Sequence, residues 1–187
     1  MPSSNYPNGF VNGLTVRDMP ITVAHPGKAF WVSNTTTLLT GQRGGSNGNK
    51  GTFDSPFSTI DYAIGQCVAN RGDVIFVKPG HAEAVTISSI ACDVAGVSII
   101  GIGSGAMKPV LTFGATDSRI NVTAANCTWQ NFRWTAGIGD VVTAVLHATA
   151  AQNTRYLDIE FYATSTFNFI NGYTLGAANI SDGCRWE

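Results

Sequence analysis

The stretch that decides the fold is "CTWQNFRW", residues 127–134, whose pattern returns as "TRYLDIEF", residues 154–161, after 154 − 127 = 27 residues. The pattern also fits residues 97–104 (127 − 97 = 30) and residues 179–186 (179 − 154 = 25). Repeats of this length, made of short segments in which apolar and polar residues alternate, are typical of a parallel β-helix with one repeat per turn. The aligned inward positions hold Val97, Cys127, Thr154 and Asn179, then Ile99, Trp129, Tyr156 and Ser181, then Ile102, Phe132, Ile159 and Cys184, and last Ser104, Trp134, Phe161 and Trp186.

A column of charged residues supports the same alignment. The seventh position of the repeats holds Gly103, Arg133, Glu160 and Arg185. On neighbouring parallel strands these side chains would point outward and stack about 4.8 Å apart, so that opposite charges pair. The alternation also predicts that Trp134, Phe161 and Trp186 stack in the core rather than form an outward platform for sugars.

The rest of the chain is organised around this coil. Short β-rich segments separated by turn residues follow one another from residue 73 to 187 and would supply about four turns. Before them, residues 56–68 predict one amphipathic capping helix that starts near Ser58 and covers the first turn. Residues 1–50, interrupted by prolines and glycines, predict an extended N-terminal arm and linker, and residues 51–187 the β-helix domain.

Several motifs resemble known β-helix proteins. "GTFDSPFSTIDYAI", "GDVIFVKPGHAEAVTI", "VAGVSIIGIGSG" and "PVLTF" resemble the opening of pectate-lyase-like right-handed β-helices. With "PGKAFWV", the set is similar to a group of tailed-bacteriophage virion proteins, over roughly residues 26–187. The resemblance implies an all-β, short right-handed parallel β-helix and a place in a virion.

Composition argues against several classes of function. The chain has 11 basic and 12 acidic residues among 187, a net charge of −1, and only 12% charged residues. This balance does not favour capture of nucleic acid or of an anionic membrane. No apolar run reaches the ~20 residues of a membrane helix, and the N-terminus lacks signal-peptide features, so we expect synthesis in a host cytoplasm. The four widely spaced cysteines predict buried free thiols, with disulfides or zinc as weaker alternatives.

The glycine-rich stretch "GGSNGNKGT", residues 44–52, does not fit a nucleotide site. A P-loop needs adjacent Gly-Lys-Ser/Thr after a buried strand, whereas Gly51 separates Lys50 from Thr52. A flexible polar turn is the better interpretation.

The carboxylates do not form an obvious catalytic set. Lyases and hydrolases of this shape need clustered carboxylates, and the repeats offer Asp117, Asp140, Asp158, Glu160 and Asp182 scattered among turns and the charged column. His81 and Glu83 could form an acid–base or metal pair, but we expect them to bind each other or turn backbone. His25 and His147 have no further ligands at zinc spacing. We therefore predict no catalytic residue, no cofactor and no metal.

The C-terminal end of the predicted β-helix suggests that it contacts another segment or another chain. The sequence "GCRWE" stops within what reads as a final strand, so we expect the last turn to be covered by the arm or by another chain. We predict a protein-binding interface made of apolar side chains of the N-terminal arm and of the last strand: Tyr6, Phe10, Val11, Leu14, Val16 and Trp31 in the arm, and Trp186 in the strand.

These observations predict a non-catalytic assembly protein, and the resemblance implies a phage virion structural protein. The specific expectation is a capsid decoration or cement protein, a homotrimer bound to the major capsid protein on the outer surface of the capsid, with no nucleic-acid or membrane partner. The alternatives are a small tail or baseplate component, or a glycan-binding or glycan-cleaving β-helix module.

Overall fold

A computed structural model describes residues 15–16, 19–20, 27–35, 43–87, 89–175 and 185–186. Within these residues the predicted fold class is confirmed: the chain is all-β, with a right-handed parallel β-helix of about four turns and one short α-helix. No helix in the described part is long and apolar enough to cross a membrane.

The elements follow one another in a regular order. The helix is α1 (Ile60–Gly65), and a single 3₁₀ turn spans Gly105–Met107. The strands are β1 (Thr15–Val16), β2 (Met19–Pro20), β3 (Ala29–Val32), β4 (Val74–Val77), β5 (Ala82–Val85), β6 (Ile90–Cys92), β7 (Ser98–Gly101), β8 (Val110–Phe113), β9 (Ile120–Val122), β10 (Thr128–Ala136), β11 (Val141–His147), β12 (Arg155–Tyr162), β13 (Phe169–Thr174) and β14 (Arg185–Trp186).

Each turn of the coil passes through three faces. The main sheet has the order β3-β4-β7-β10-β12-β14, and the second face pairs β5 with β8 and β8 with the C-terminal half of β10. The third face has the order β6-β9-β11-β13. We number the turns by their strands: turn 1 is β4 to β6, turn 2 is β7 to β9, turn 3 is β10 and β11, and turn 4 is β12 and β13. All of these pairings are parallel, whereas β1 and β2 form a separate antiparallel pair.

The predicted register between turns 3 and 4 is confirmed. Trp129 lies between Ile99 and Tyr156 on neighbouring strands. Arg133 lies opposite Glu160, and their Nε and Oε2 atoms are 3.1 Å apart in an ion pair. The alternation that was read from the sequence therefore places the apolar side chains inward on both turns.

The predicted alignment of residues 102–104 is wrong. Trp134 lies opposite Leu111 rather than Ser104. The reason is that β7 ends at Gly101 and a loop with the 3₁₀ turn is inserted before β8, while β10 crosses the same two faces without interruption.

The predicted position of the last strand is also wrong. Arg185 lies opposite Arg155 and Trp186 opposite Tyr156, so the last step is 185 − 155 = 30 residues instead of 25. The charged column therefore contains the pair Arg133 and Glu160 but not Arg185. The extra five residues belong to a turn that also carries β13 on the third face.

The sheet begins within the segment that the sequence assigned to the arm. Residues 29–32 form β3, which pairs with β4 in the main sheet. The other edge of β3 is covered by residues 51–57, whose backbone bonds to Trp31 and Ser33, as in the 2.8 Å bond from the Trp31 N–H to the Gly51 carbonyl. The first turn thus has a cap, and its edge backbone groups are paired.

Helix α1 completes this cap but is shorter than predicted. It begins after Thr59, which accepts the Tyr62 N–H, so the N-cap is one residue later than the expected Ser58. Ile60, Ala63 and Ile64 are buried as expected, whereas Val68 is half exposed because the helix ends at Gly65.

The corners of the coil depend on residues with positive φ. One corner stacks Asn70, Gly96, Asn126 and Asn153, all with φ between 54° and 76°. At another corner β10 bends at Asn131 (φ 61°), whose side-chain amide donates to the carbonyls of Gly101 (2.8 Å) and Gly103 (2.9 Å). A Cβ at position 101 would lie only 2.2 Å from the Asn131 carbonyl oxygen, so this approach needs glycine.

We expect Asn131→Ala to destabilise the protein by about 2–3 kcal/mol, because it adds left-handed strain and leaves two carbonyls unpaired. Asn131→Gly keeps the backbone freedom and should lose about 1–2 kcal/mol, through the missing hydrogen bonds alone. Urea unfolding of the two variants beside the wild type measures the difference. Stability within about 0.5 kcal/mol of the wild type for both variants would show that this corner does not hold turns 2 and 3 together.

Candidate functional site

The last described turn leaves part of its inward column uncovered. Trp134, on turn 3, is fully buried as predicted, but its neighbour in the column, Phe161 on turn 4, is 38% exposed. Phe161 is exposed because turn 4 has little strand pairing on its outer side. β14 pairs with β12 only at Arg155 and Tyr156, and β13 is an edge strand among the described residues. Phe161 thus stacks on Trp134 as predicted, but its side chain is not fully enclosed in the core.

Further large apolar side chains are exposed on the same turn. Tyr162 is 50% exposed, Phe167 42% and Ile170 59%. Phe161 is itself held in place, since its ring meets those of Trp134, Phe169 and Tyr173 at centroid distances of 5.3, 5.5 and 5.4 Å. We call Phe161, Tyr162, Phe167 and Ile170 the terminal apolar residues. They are the candidate protein-binding site of the described part of the chain.

The charged groups next to these residues are engaged in contacts between turns. Lys108, in the loop of turn 2, donates to the carboxylate of Asp158 on turn 4 at 3.0 Å. Arg133 pairs with Glu160, and its guanidinium lies 5.9 Å from the ring centre of Tyr162. These carboxylates therefore connect turn 4 to turns 2 and 3 rather than form a separate acidic site.

The predicted interface residues are only partly described. Tyr6, Phe10, Val11 and Leu14 lie outside the described residues, and Val16 and Trp186 are described only as members of β1 and β14. Trp31 is half-buried on the outer face of the main sheet. Its part in an interface stays a prediction.

Trp31 belongs to an outward aromatic cluster that the sequence analysis missed. Its ring lies 4.9 Å from that of Phe53, edge to face, and 5.0 Å from that of Phe76. The ammonium of Lys78 lies 3.9 Å from the centre of the Phe53 ring, and burial lowers the pKa of this lysine. The sequence of β3 and β4 could have indicated this cluster. Trp31 and Phe76 alternate along their strands with the buried residues Val32, Ile75 and Val77, which places the two aromatic side chains on the outer face.

His81 and Glu83 pair with each other and with backbone, as predicted. The His81 Nε2 lies 3.0 Å from a Glu83 oxygen, and the His81 Nδ1 accepts the Asn34 N–H at 3.1 Å. The same Glu83 oxygen accepts the Ile60 N–H at the start of α1. The pair therefore attaches β3 and α1 to turn 1, and the described residues contain no group of three or more metal-ligating side chains.

The glycine-rich stretch has a structural role at the same helix end. The Asn47 side-chain oxygen accepts the N–H groups of Ser58 and Thr59 at 3.1 and 3.3 Å. Together with the Glu83 carboxylate it occupies the donors that a phosphate would use, which agrees with the rejection of a nucleotide site.

Asp73 is a buried carboxylate whose role the sequence did not reveal. It accepts two hydrogen bonds from Arg71 (2.7 and 2.6 Å) and the N–H groups of Lys28 (2.7 Å) and Val68 (2.8 Å). Burial would raise its pKa, but the bonds from Arg71 and then from the two N–H groups outweigh burial and hold the pKa at about 2. The only signal is an acidic residue next to the buried strand β4.

A second buried polar pair lies in the interior of the last turns. His147 and Tyr156 are almost fully buried, and the His147 Nε2 lies 2.8 Å from the Tyr156 hydroxyl. Burial lowers the pKa of His147, so the neutral ring is favoured there. The pair satisfies polar atoms within the core and offers no surface to a ligand.

Comparisons with known proteins support the fold. No protein-family model matches the chain, and a search of curated proteins finds no match. Among solved structures the chain is similar to a protein described as a rhamnogalacturonan lyase, with a TM-score of 0.55 and 18% identity over 72% of this chain. The match covers 36% of that protein, so this chain spans about a third of its length. At this identity the similarity shows the β-helix fold alone.

The Asp73 contacts predict loss of stability in acid. A folded-state pKa of about 2, below the ordinary value of 3.8, means that the contribution of Asp73 is complete above about pH 4 and is lost as the pH falls through 2. The contribution amounts to about 2 kcal/mol. Urea unfolding between pH 7 and pH 2.5 should show Asp73→Asn less stable at pH 7 and less sensitive to acid than the wild type.

Asp117→Asn, at an exposed position, is the matched control and should follow the wild type. If Asp73→Asn keeps the wild-type stability at pH 7 and the wild-type acid dependence, Asp73 is not the group that fastens the first turn.

Proposed function

We propose that the chain is a non-catalytic assembly module in which turn 4 of the β-helix binds another protein chain. The observation that supports this function is the contrast within one column, where Trp134 is fully buried and Phe161 is more than a third exposed. Burial of a large apolar side chain is worth about 1.5–3 kcal/mol, so a partner that covers the terminal apolar residues would gain several kcal/mol before its entropic costs.

The surface chemistry agrees with a protein partner. Only 12% of the residues of the whole chain are charged, which suits a surface that packs against protein. Within the described residues the carboxylates Asp73, Glu83, Asp158 and Glu160 each bind basic or backbone groups of the fold. A catalytic carboxylate pair finds no support there.

The specific assembly that we propose is a phage particle. The motifs that resemble virion proteins favour a capsid decoration protein, arranged as a homotrimer on the outer surface and bound to the major capsid protein. A tail or baseplate position is the alternative within the same class. Both places use the same property, a solenoid whose last described turn exposes large apolar side chains.

The test is the amount of this chain in particles that carry it. Quantitative mass spectrometry of purified particles should find it at a copy number close to that of the capsid protein, whereas a few copies per particle would indicate the tail. The variant Phe167→Ser/Ile170→Ser should disappear from the particles and still fold, with an unfolding free energy within about 1 kcal/mol of the wild type, because these side chains are already 42% and 59% exposed.

Ile87→Ser is the matched control, since Ile87 is 58% exposed on turn 1, away from the terminal apolar residues, and it should remain in the particles. The proposal fails if the protein is absent from particles, or if the double variant is incorporated as well as the wild type.

Glycan binding is the second candidate, favoured by the outward cluster of Trp31, Phe53 and Phe76. Aromatic rings on a β-helix face can stack against sugar rings, and the protein of similar fold is described as a lyase that acts on rhamnogalacturonan. Calorimetric titration with rhamnogalacturonan fragments tests whether the protein binds glycans, and an assay of fragment cleavage tests whether it degrades them. Binding that is lost in Trp31→Ala but kept in Met107→Ala, another exposed apolar position, would establish this function, and the absence of binding and cleavage would reject it.

A further inference from the structure

Two of the cysteines meet inside the coil. Cys92 ends β6 on turn 1, and Cys127 directly precedes β10 on turn 3, 127 − 92 = 35 residues later. Both are free thiols with no exposed surface, which confirms for this pair the prediction of buried free thiols. Cys184 lies outside the described residues.

Backbone contacts fix the two residues next to each other. The Cys92 carbonyl accepts the N–H groups of Thr123 and Ala124 at 3.0 and 3.1 Å. The Cys127 thiol lies 3.5 Å from the Ala124 carbonyl oxygen and 3.6 Å from that of Val94. Both side chains are therefore buried at the same corner of the coil, with Ala124 bonded to the Cys92 carbonyl on one side and beside the Cys127 thiol on the other.

The contact makes the two sulfur atoms chemically unequal. A hydrogen bond from Cys92 lowers the pKa of the Cys127 thiol, although burial opposes this change. The same contact, together with burial, raises the pKa of Cys92. Cys127 is therefore the sulfur that ionises first, and Cys92 keeps its proton.

Cys67 provides an internal comparison. It is half-buried, its thiol lies 3.3 Å from the Ala63 carbonyl, and burial and then the Asp73 charge raise its pKa to about 12. It thus lacks both a neighbouring thiol and a low pKa, and reaction with an oxidant should be slow.

We propose that Cys92 and Cys127 form a reversible disulfide between turn 1 and turn 3 when the protein meets a peroxide. The Cys127 sulfur attacks one oxygen of hydrogen peroxide, the O–O bond breaks, and a sulfenic acid and one water form. The Cys92 sulfur then attacks the Cys127 sulfur, the S–O bond breaks, and hydroxide leaves with the Cys92 proton as a second water. The two thiols lose two electrons and the peroxide gains them.

Because Cys92 lies on turn 1 and Cys127 on turn 3, a disulfide between them would covalently connect two turns of the β-helix. Val94 and Ala124, whose carbonyls lie beside the Cys127 thiol at this corner, are themselves only partly buried. The bond closes a loop of 35 residues across one full turn, which restricts the unfolded chain and stabilises the folded coil. Oxidation would thereby stiffen the half of the coil remote from the terminal apolar residues.

The test uses the full chain and dilute hydrogen peroxide at neutral pH. After the reaction, free thiols are blocked with N-ethylmaleimide in denaturant, and the digest is analysed by mass spectrometry without reduction. We expect a Cys92–Cys127 linked peptide pair that is two hydrogen atoms lighter than the separate peptides. Dithiothreitol should restore both thiols, and the oxidised protein should melt roughly 5–10 °C higher than the reduced one.

Variants separate this inference from general oxidation. Cys67→Ala should still form the linkage, and Cys127→Ala should not, while peptide mapping of the wild type decides the matter even if that variant does not fold. Three results would overturn the proposal. They are no reaction of either thiol, oxidation of Cys127 to sulfinic acid with Cys92 still free, or a linkage to Cys67 or Cys184.

Discussion

Backbone hydrogen bonding between successive parallel turns is the interaction on which the rest of this structure depends. It places each inward residue directly on its counterpart one turn away, so that Trp129 lies between Ile99 and Tyr156. It also leaves a row of unpaired groups wherever a turn has no neighbour. At the first turn this edge is covered by residues 51–57 and by α1, whereas at turn 4 the short strand β14 covers only two residues of β12. The asymmetry between the two ends is the source of the proposed function.

The few charged groups of the described part serve the same stacking. Asp73 binds the backbone of the segment before turn 1, and Glu83 binds the N-terminus of α1 to turn 1. Asp158 and Glu160 on turn 4 bind the side chains of Lys108 on turn 2 and Arg133 on turn 3. These contacts connect the segment before turn 1, helix α1 and the successive turns to one another. The exposed surface also carries two groups of apolar side chains, the terminal apolar residues of turn 4 and the aromatic cluster around Trp31.

The strand register could be predicted from the sequence where two neighbouring turns contain strands of the same length. It could not be predicted where a loop interrupts one of the two turns. Arg133 and Glu160 were placed correctly because β10 and β12 both cross two faces without interruption. Ser104 was misplaced because glycine and isoleucine alternate in the loop after β7 as they would in a strand, and Arg185 because the length of the last turn has no marker in the pattern. Exposure of Phe161 could not be predicted either, since it depends on how much of β12 is paired with β14 and not on the residue itself. The role of Asp73 could not be predicted from the sequence either, because two of its hydrogen-bond partners are backbone N–H groups, which nearly every residue has.

Hydrogen–deuterium exchange of the isolated chain, followed peptide by peptide, tests the central claim most directly. A coil that is covered at its first turn and open at its last should exchange slowly in residues 128–136 and 141–147, and much faster in residues 159–174. In the assembled partner complex the exchange of residues 159–174 should become slow. Uniformly slow exchange across all of these segments in the isolated monomer would contradict an uncovered end, and uniformly fast exchange would contradict the stacked coil itself.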